Sequence, residues 1–205
     1  MNHLRSYALG IAAALVSLPM YASMPAQPQN LNLVSANAEL TQGLNSKSTQ
    51  QGQSVTAKLT SGVKTDGQME LPKGTILVGK VDQAQNSNSD GNKSSISIVF
   101  NEARLRNGRE VPIKATLLAA YPPVITGVTQ STSSYMIQQP RHIPNDTKVQ
   151  QDPGTLGNVT LKSAVQSNVS GVFLSKDHNI NLHQGTRFQL AIAPETSSMS
   201  TANGS

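Results

Sequence analysis

Apolar residues in this chain recur at every second position, in short runs separated by Gly-containing turns. Val55, Ala57 and Leu59 share one parity, and Val63 keeps it. Met69 and Leu71 follow, then the apolar run Ile76-Leu77-Val78. Ile96, Ile98 and Phe100 repeat the pattern, as do Val111, Ile113, Ala115 and Leu117. A period of two sends successive side chains to opposite faces of a strand, so this pattern buries one face of a sheet. The spacing predicts an all-β fold: a small antiparallel β-barrel or barrel-like sandwich. No internal repeat stands out.

Turn chemistry sets the expected registers. Directly opposed residues of a hairpin point to the same face. Pairing Val63 with Met69 leaves Thr65-Asp66-Gly67 as a three-residue loop. A two-residue Asp-Gly loop would pair opposite parities and push one apolar row into water. Pairing Ala103 with Val111 leaves Arg106-Asn107-Gly108, with Gly108 at the left-handed position of a type I turn plus bulge. Ile96, Ile98 and Phe100 lie on one parity while Ala103 and Leu105 lie on the other, which predicts a β-bulge near Asn101-Glu102. Strand 76–81 is apolar on both faces and reads as central. Phe188, Leu190 and Ile192 alternate with Arg187, Gln189 and Ala191, which predicts a strand with one wet face. Residues 168–174 fit a strand or a short helical turn.

Around this block the chain divides by composition. Residues 1–22 read as a signal peptide: Arg5, an apolar run over residues 8–18, Pro19, then the small residues Ala22 and Ser23. That run would span about 16 Å as a helix, about half of a ~30 Å hydrocarbon core, so no membrane span is expected in the mature chain. Residues 23–37 read as a polar linker, 38–193 as one β-barrel domain, and 194–205 as a disordered tail. A long polar insertion at about 120–156, rich in Pro, Ser, Thr, Gln and Asn, reads as a flexible loop interrupting the domain. The expected location is periplasmic or secreted. The chain has no Cys, so no disulfide and no thiol chemistry is available, and core burial must hold the fold.

Charge and aromatic content narrow the function. With 16 Lys and Arg against 11 Asp and Glu, the chain is mildly basic at +5, and loss of Arg5 would lower that by one. The charges are spread along the chain, and the aromatics beyond residue 22 are Phe100, Tyr121, Tyr135, Phe173 and Phe188. Nucleic-acid binding asks for a clustered basic stripe with stacking platforms, and an outer-membrane barrel asks for aromatic girdles. Neither pattern occurs. No Gly-x-Ser-x-Gly elbow, no phosphate-binding Gly loop before a helix and no close carboxylate pair on one strand face stands out, Glu102 and Glu110 reading as hairpin-tip residues, so no catalytic residue and no cofactor are assigned. Asp177, His178 and His183 resemble a metal set only in composition, since positions five apart on a strand face opposite sides. Arg104, Arg106 and Arg109 cluster at the expected hairpin tip, where they are either a solvated hairpin end or a contact for an anionic partner.

The run Gly67-Gln68-Met69-Glu70-Leu71-Pro72-Lys73-Gly74-Thr75-Ile76-Leu77-Val78-Gly79 resembles a Gly/Pro signature of the TrbI-like family. These are scaffold proteins of type IV secretion and conjugation channels. The later run Leu182-His183-Gln184-Gly185-Thr186-Arg187-Phe188-Gln189-Leu190 resembles the family's closing strand. The likeness covers about residues 40–118 and 158–192. It implies the family's C-terminal β-barrel, with Pro72 and Gly74 turning between ladder strands and Gly79 and Gly185 allowing a bend or close backbone approach. It also implies self-association, because the family domain is a ring-forming subunit. The chain departs from the family where channel members insert an apolar helical hairpin. Residues 121–155 here are polar and broken by Pro122, Pro123, Pro140, Pro144 and Pro153, which cannot make a membrane-spanning helix pair. The expected function is therefore an exported, non-enzymatic envelope module that binds envelope proteins or copies of itself, with the insertion as a partner-binding arm. A secreted module for cell-wall glycan or lipid headgroup is the second reading.

Overall fold

The computed structural model describes residues 31–64, 70–87, 93–124, 142–152 and 156–195. The expected signal peptide, Gly67, Tyr135 and the tail beyond residue 195 lie outside them. The strands are β1 (Leu33–Leu40), β2 (Leu44–Asn45), β3 (Ser54–Leu59), β4 (Val63–Lys64), β5 (Glu70–Leu71), β6 (Ile76–Gln85), β7 (Ser94–Arg104), β8 (Glu110–Tyr121), β9 (His142–Ile143), β10 (Lys148–Gln151), β11 (Thr160–Ala164), β12 (Gly171–Ser175), β13 (Asn181–Leu182) and β14 (Arg187–Pro194). No helix occurs among the described residues.

Six strands close an antiparallel barrel in the order β7-β6-β3-β1-β14-β8, with β8 pairing back to β7. Its interior takes one face of each strand. Val55, Ala57, Leu59, Leu77, Val81, Ile96, Ile98, Leu117, Leu190 and Ile192 are all at most 1% exposed. Phe188 is central, with ring centroids of Phe100 and Phe173 at 6.4 and 6.1 Å. Tilted ring pairs at such spacing are favourable beyond their burial.

Barrel closure depends on a seam. Strands β7 and β8 pair directly only at Glu102–Pro112, Ala103–Val111 and Arg104–Glu110. Beyond those positions β7 turns to β12, pairing with it at residues 94–98. Ser170 sits at the junction, 2% exposed. Its N–H donates to Ile98 O, its Oγ accepts from Phe100 N–H, and its carbonyl accepts from Leu117 N–H, each at 2.8 Å. Farther along β8, Ser163 Oγ donates to Leu117 O. The Gln151 amide then imitates a strand partner, accepting from Ala120 N–H at 2.8 Å and donating to Ala120 O at 3.0 Å. Each bridge satisfies backbone groups that burial would otherwise leave without partners.

The expected bulge is present. Val78 pairs with Glu102 and Gly79 with Phe100, leaving Asn101 as the extra residue. Gly79 is required there: a Cβ would lie 2.0 Å from Val99 O. The second hairpin also has the expected register, with Gly108 at φ +80°.

The first hairpin corrects the expected pairing. Val63 opposes Leu71, and Lys64 opposes Glu70, two residues further out than Val63–Met69. The slip preserves parity, so the apolar row stays inside either way. The segment around 120–156 also differs from a continuous loop. Strand β8 reaches Tyr121, β9 pairs with β1, and β10 pairs with β11. Val149 and Gln151 alternate inward with exposed Lys148 and Gln150, a period too short to stand out in so polar a stretch. The outer face of β14 is dry rather than wet at its end. Ala191 and Ala193 are buried with Leu33 and Val165 in a second apolar cluster, flanked by Leu31, Leu118 and Ile143. Residues 171–175 are strand, not helix.

An internal repeat, unseen in the sequence, also emerges. Thr41 and Thr60 each follow a buried Leu, and each uses N–H and Oγ1 on one carbonyl: Thr56 O for Thr41 and Asn37 O for Thr60. The register slip in β6–β7 begins at Gly79, four residues after Thr75, and that in β14–β8 at Leu190, four after Thr186.

Replacing Ser170 with Ala strands the Phe100 N–H, and urea denaturation should show a loss of about 1–3 kcal/mol. Thr116 is the converse case. Its buried Oγ1 has no partner among the described residues. Thr116→Val should leave the urea midpoint unchanged or raise it, because an apolar group of the same shape removes a desolvated hydroxyl.

Candidate interaction surface

The motif residues fall on two equivalent turns. In the first, Gly74 N–H donates to Leu59 O and Leu59 N–H to Thr75 O, both at 2.9 Å. Thr75 N–H and Oγ1 donate to Pro72 O at 3.1 and 2.8 Å. In the second, Gly185 N–H donates to Leu40 O and Leu40 N–H to Thr186 O, both at 2.8 Å. Thr186 N–H and Oγ1 donate to His183 O at 3.0 and 2.7 Å. Gly74 and Gly185 have φ of +87° and +81°, the left-handed region that L side chains disfavour. Both threonines are buried. Each turn thus locks the end of one barrel strand to the start of another.

The Arg106-Asn107-Gly108 hairpin stands beside the first turn. The Arg106 guanidinium lies over Gly74, so close that a Cβ there would be 2.6 Å from Nη2. Arg104 is different: its Nε and Nη2 form ion pairs with Glu110 at 3.0 Å and Glu102 at 3.2 Å. These three charges are half exposed, so the pairs mainly hold the hairpin's side chains in place and add little stability. Arg106 and Arg109 are exposed and have no ion pair among the described residues. Lys73, in the neighbouring turn, is likewise exposed and unpaired. The structure therefore divides the arginine cluster: Arg104 is paired locally, while Arg106, which reaches the turn that holds Lys73, and Arg109 have no ion pair among the described residues. Sequence spacing missed Lys73, because the turn and the hairpin lie more than thirty residues apart in the chain.

The His positions do not converge. His178 Nδ1 lies 3.3 Å from Asn158 Nδ2, and His183 Nε2 lies 3.5 Å from Asn181 Nδ2. Among the described residues no group of three or more His, Asp and Glu could hold a metal ion. No helix of these residues is long and apolar enough to cross a membrane.

No family model matches this chain, and no curated protein matches it. Comparison with solved structures finds ComB10 of the Com type IV secretion system of Helicobacter pylori, at a TM-score of 0.35 and 12% identity, covering 81% of this chain and 89% of that one. At that TM-score and identity the likeness carries no functional argument.

Substituting Gly74 or Gly185 by Ala should lower unfolding stability by about 1–2 kcal/mol each, from left-handed strain. Arg104→Ala should cost less than about 1 kcal/mol in the same denaturation measurement.

Proposed function

We propose that this chain is an exported, non-enzymatic β-barrel module that acts in the cell envelope through protein–protein contact. The observation that carries the reading is the placement of the two stretches that resemble the TrbI-like family. Residues 71–75 and 182–186 form the matched turns that fasten the barrel's strand ends. The same kind of sequence thus does the same mechanical work twice in one barrel. Such a barrel offers a rigid support from which loops and hairpin tips can engage partners.

The contact surface in this reading is the hairpin tip. Arg106, Arg109 and Lys73 present cationic groups whose charge no described carboxylate cancels. Such a patch favours an acidic protein surface, and rim charges of this kind raise the association rate and make it salt-sensitive. Arg104, held by Glu102 and Glu110, keeps the tip in shape rather than serving the partner.

Two measurements test the reading. Expression in a Gram-negative host, with mass spectrometry of the periplasmic chain, should find the N-terminus near Ser23; an unprocessed cytoplasmic chain would count against export. Cross-linking in those cells should capture an envelope protein or a second copy of the chain. The double variant Arg106→Glu and Arg109→Glu should lose that adduct while keeping its melting temperature. An unchanged adduct would remove the hairpin tip from the interface.

A further inference from the structure

We propose that a cleft on the outer sheet binds an anionic saccharide, meaning a sugar that carries a carboxylate or phosphate group. The cleft lies over β10, β11 and β12 and has a volume of about 540 Å³, within the range of small-molecule sites. It sits at the start of β7, whereas the Arg106 hairpin follows the other end of that strand. The two surfaces are therefore separate, and this inference goes beyond the protein-contact reading.

Lys93, Lys162 and Lys176 line the cleft. All three are exposed, and none has an ion pair among the described residues. Three lysines around one cleft create a positive potential that draws an anion. Asp152 and Asp177 share the same lining, yet neither pairs with a lysine among the described residues. Asp152 accepts instead from Gln150 Nε2 at 3.2 Å. The cleft thus presents strong donors and strong acceptors side by side without letting them neutralise each other.

That combination selects the ligand's chemistry. A bare inorganic anion would satisfy the lysines and be repelled by the carboxylates. A sugar acid or sugar phosphate satisfies both: its anion takes the lysines, and its hydroxyls donate to Asp152 and Asp177. The register supports a shared wall, since Gln150 opposes Lys162 in the β10–β11 ladder. Among the described residues no aromatic side chain lines the cleft, so these residues offer a neutral sugar or a nucleobase no stacking surface.

Titration of the full chain with glucuronic acid, glucose 6-phosphate, glucose and inorganic phosphate, followed by calorimetry, tests the proposal. At least one of the two charged sugars should bind, weakening as salt rises, with glucose and phosphate at least about tenfold weaker. Which charged sugar is preferred separates a carboxylate from a phosphate source. Lys162→Gln combined with Lys176→Gln should weaken the charged sugar at least about tenfold, and Asp177→Asn should weaken it while leaving any phosphate binding unchanged or stronger. These residues are exposed, so the melting temperature should stay constant. Absence of binding by either charged sugar up to about 10 mM, or phosphate binding as tight as that of the sugars, would overturn the proposal. Variants that bind like the native chain would overturn it equally.

Discussion

Strands β7 and β8 pair at only three positions, and the barrel closes across the remaining gap through Ser170. One small residue supplies a backbone donor, a backbone acceptor and a hydroxyl acceptor to Ile98, Leu117 and Phe100. An open edge at this place would expose unpaired amides beside Phe100 and Leu117, both buried. Ser163 and Gln151 extend the same solution along β8. All three residues belong to the outer segment that carries β10, β11 and β12 or the turn before β12. The outer layer is therefore part of barrel closure, not decoration added to a finished barrel.

The layer also explains where the core ends. Ala191 and Ala193 face away from the barrel interior, yet both are fully buried under Leu33 and Val165. Their small size lets the covering segment approach β14 closely. On the inner side three phenylalanines supply the large volumes, and every barrel strand adds Ala, Val, Leu or Ile around them. With no Cys to cross-link the chain, this burial and the satisfied seam hold the fold.

A two-fold repetition organises the rest. The Leu-Thr steps at residues 40–41 and 59–60, and the Gly-Thr turns at 74–75 and 185–186, repeat hydrogen bond for hydrogen bond. Matching positions then carry different surfaces. The first turn meets the Arg106 hairpin, whereas a Cβ on Gly185 in the second would meet Pro123, where the chain leaves β8. Tyr121 stacks there under Arg187 at 5.9 Å, and Arg187 Nε donates to Pro122 O at 3.1 Å. A shared mechanical frame thus presents a cationic tip at one turn and the exit of the insertion at the other.

The sequence by itself determined what depends on near neighbours. Alternation set which residues of residues 55–59, 96–100 and 188–192 face the core, because side-chain parity is a property of consecutive residues. The same logic placed a bulge near Asn101-Glu102, where the parity changes, and the Arg106-Asn107-Gly108 loop, where parity is kept across a Gly turn. Parity is blind to a slip of two, which is why Val63–Leu71 pairing was not distinguishable from Val63–Met69. The tertiary structure decided everything that joins distant segments. Ser170 meets Phe100 across seventy residues, and Gln151 meets Ala120 across thirty-one. Lys73 beside the arginine hairpin and the three lysines of the outer cleft converge in the same way. Such contacts leave no local pattern, since a polar side chain that satisfies a distant backbone looks, in sequence, like any solvated loop residue.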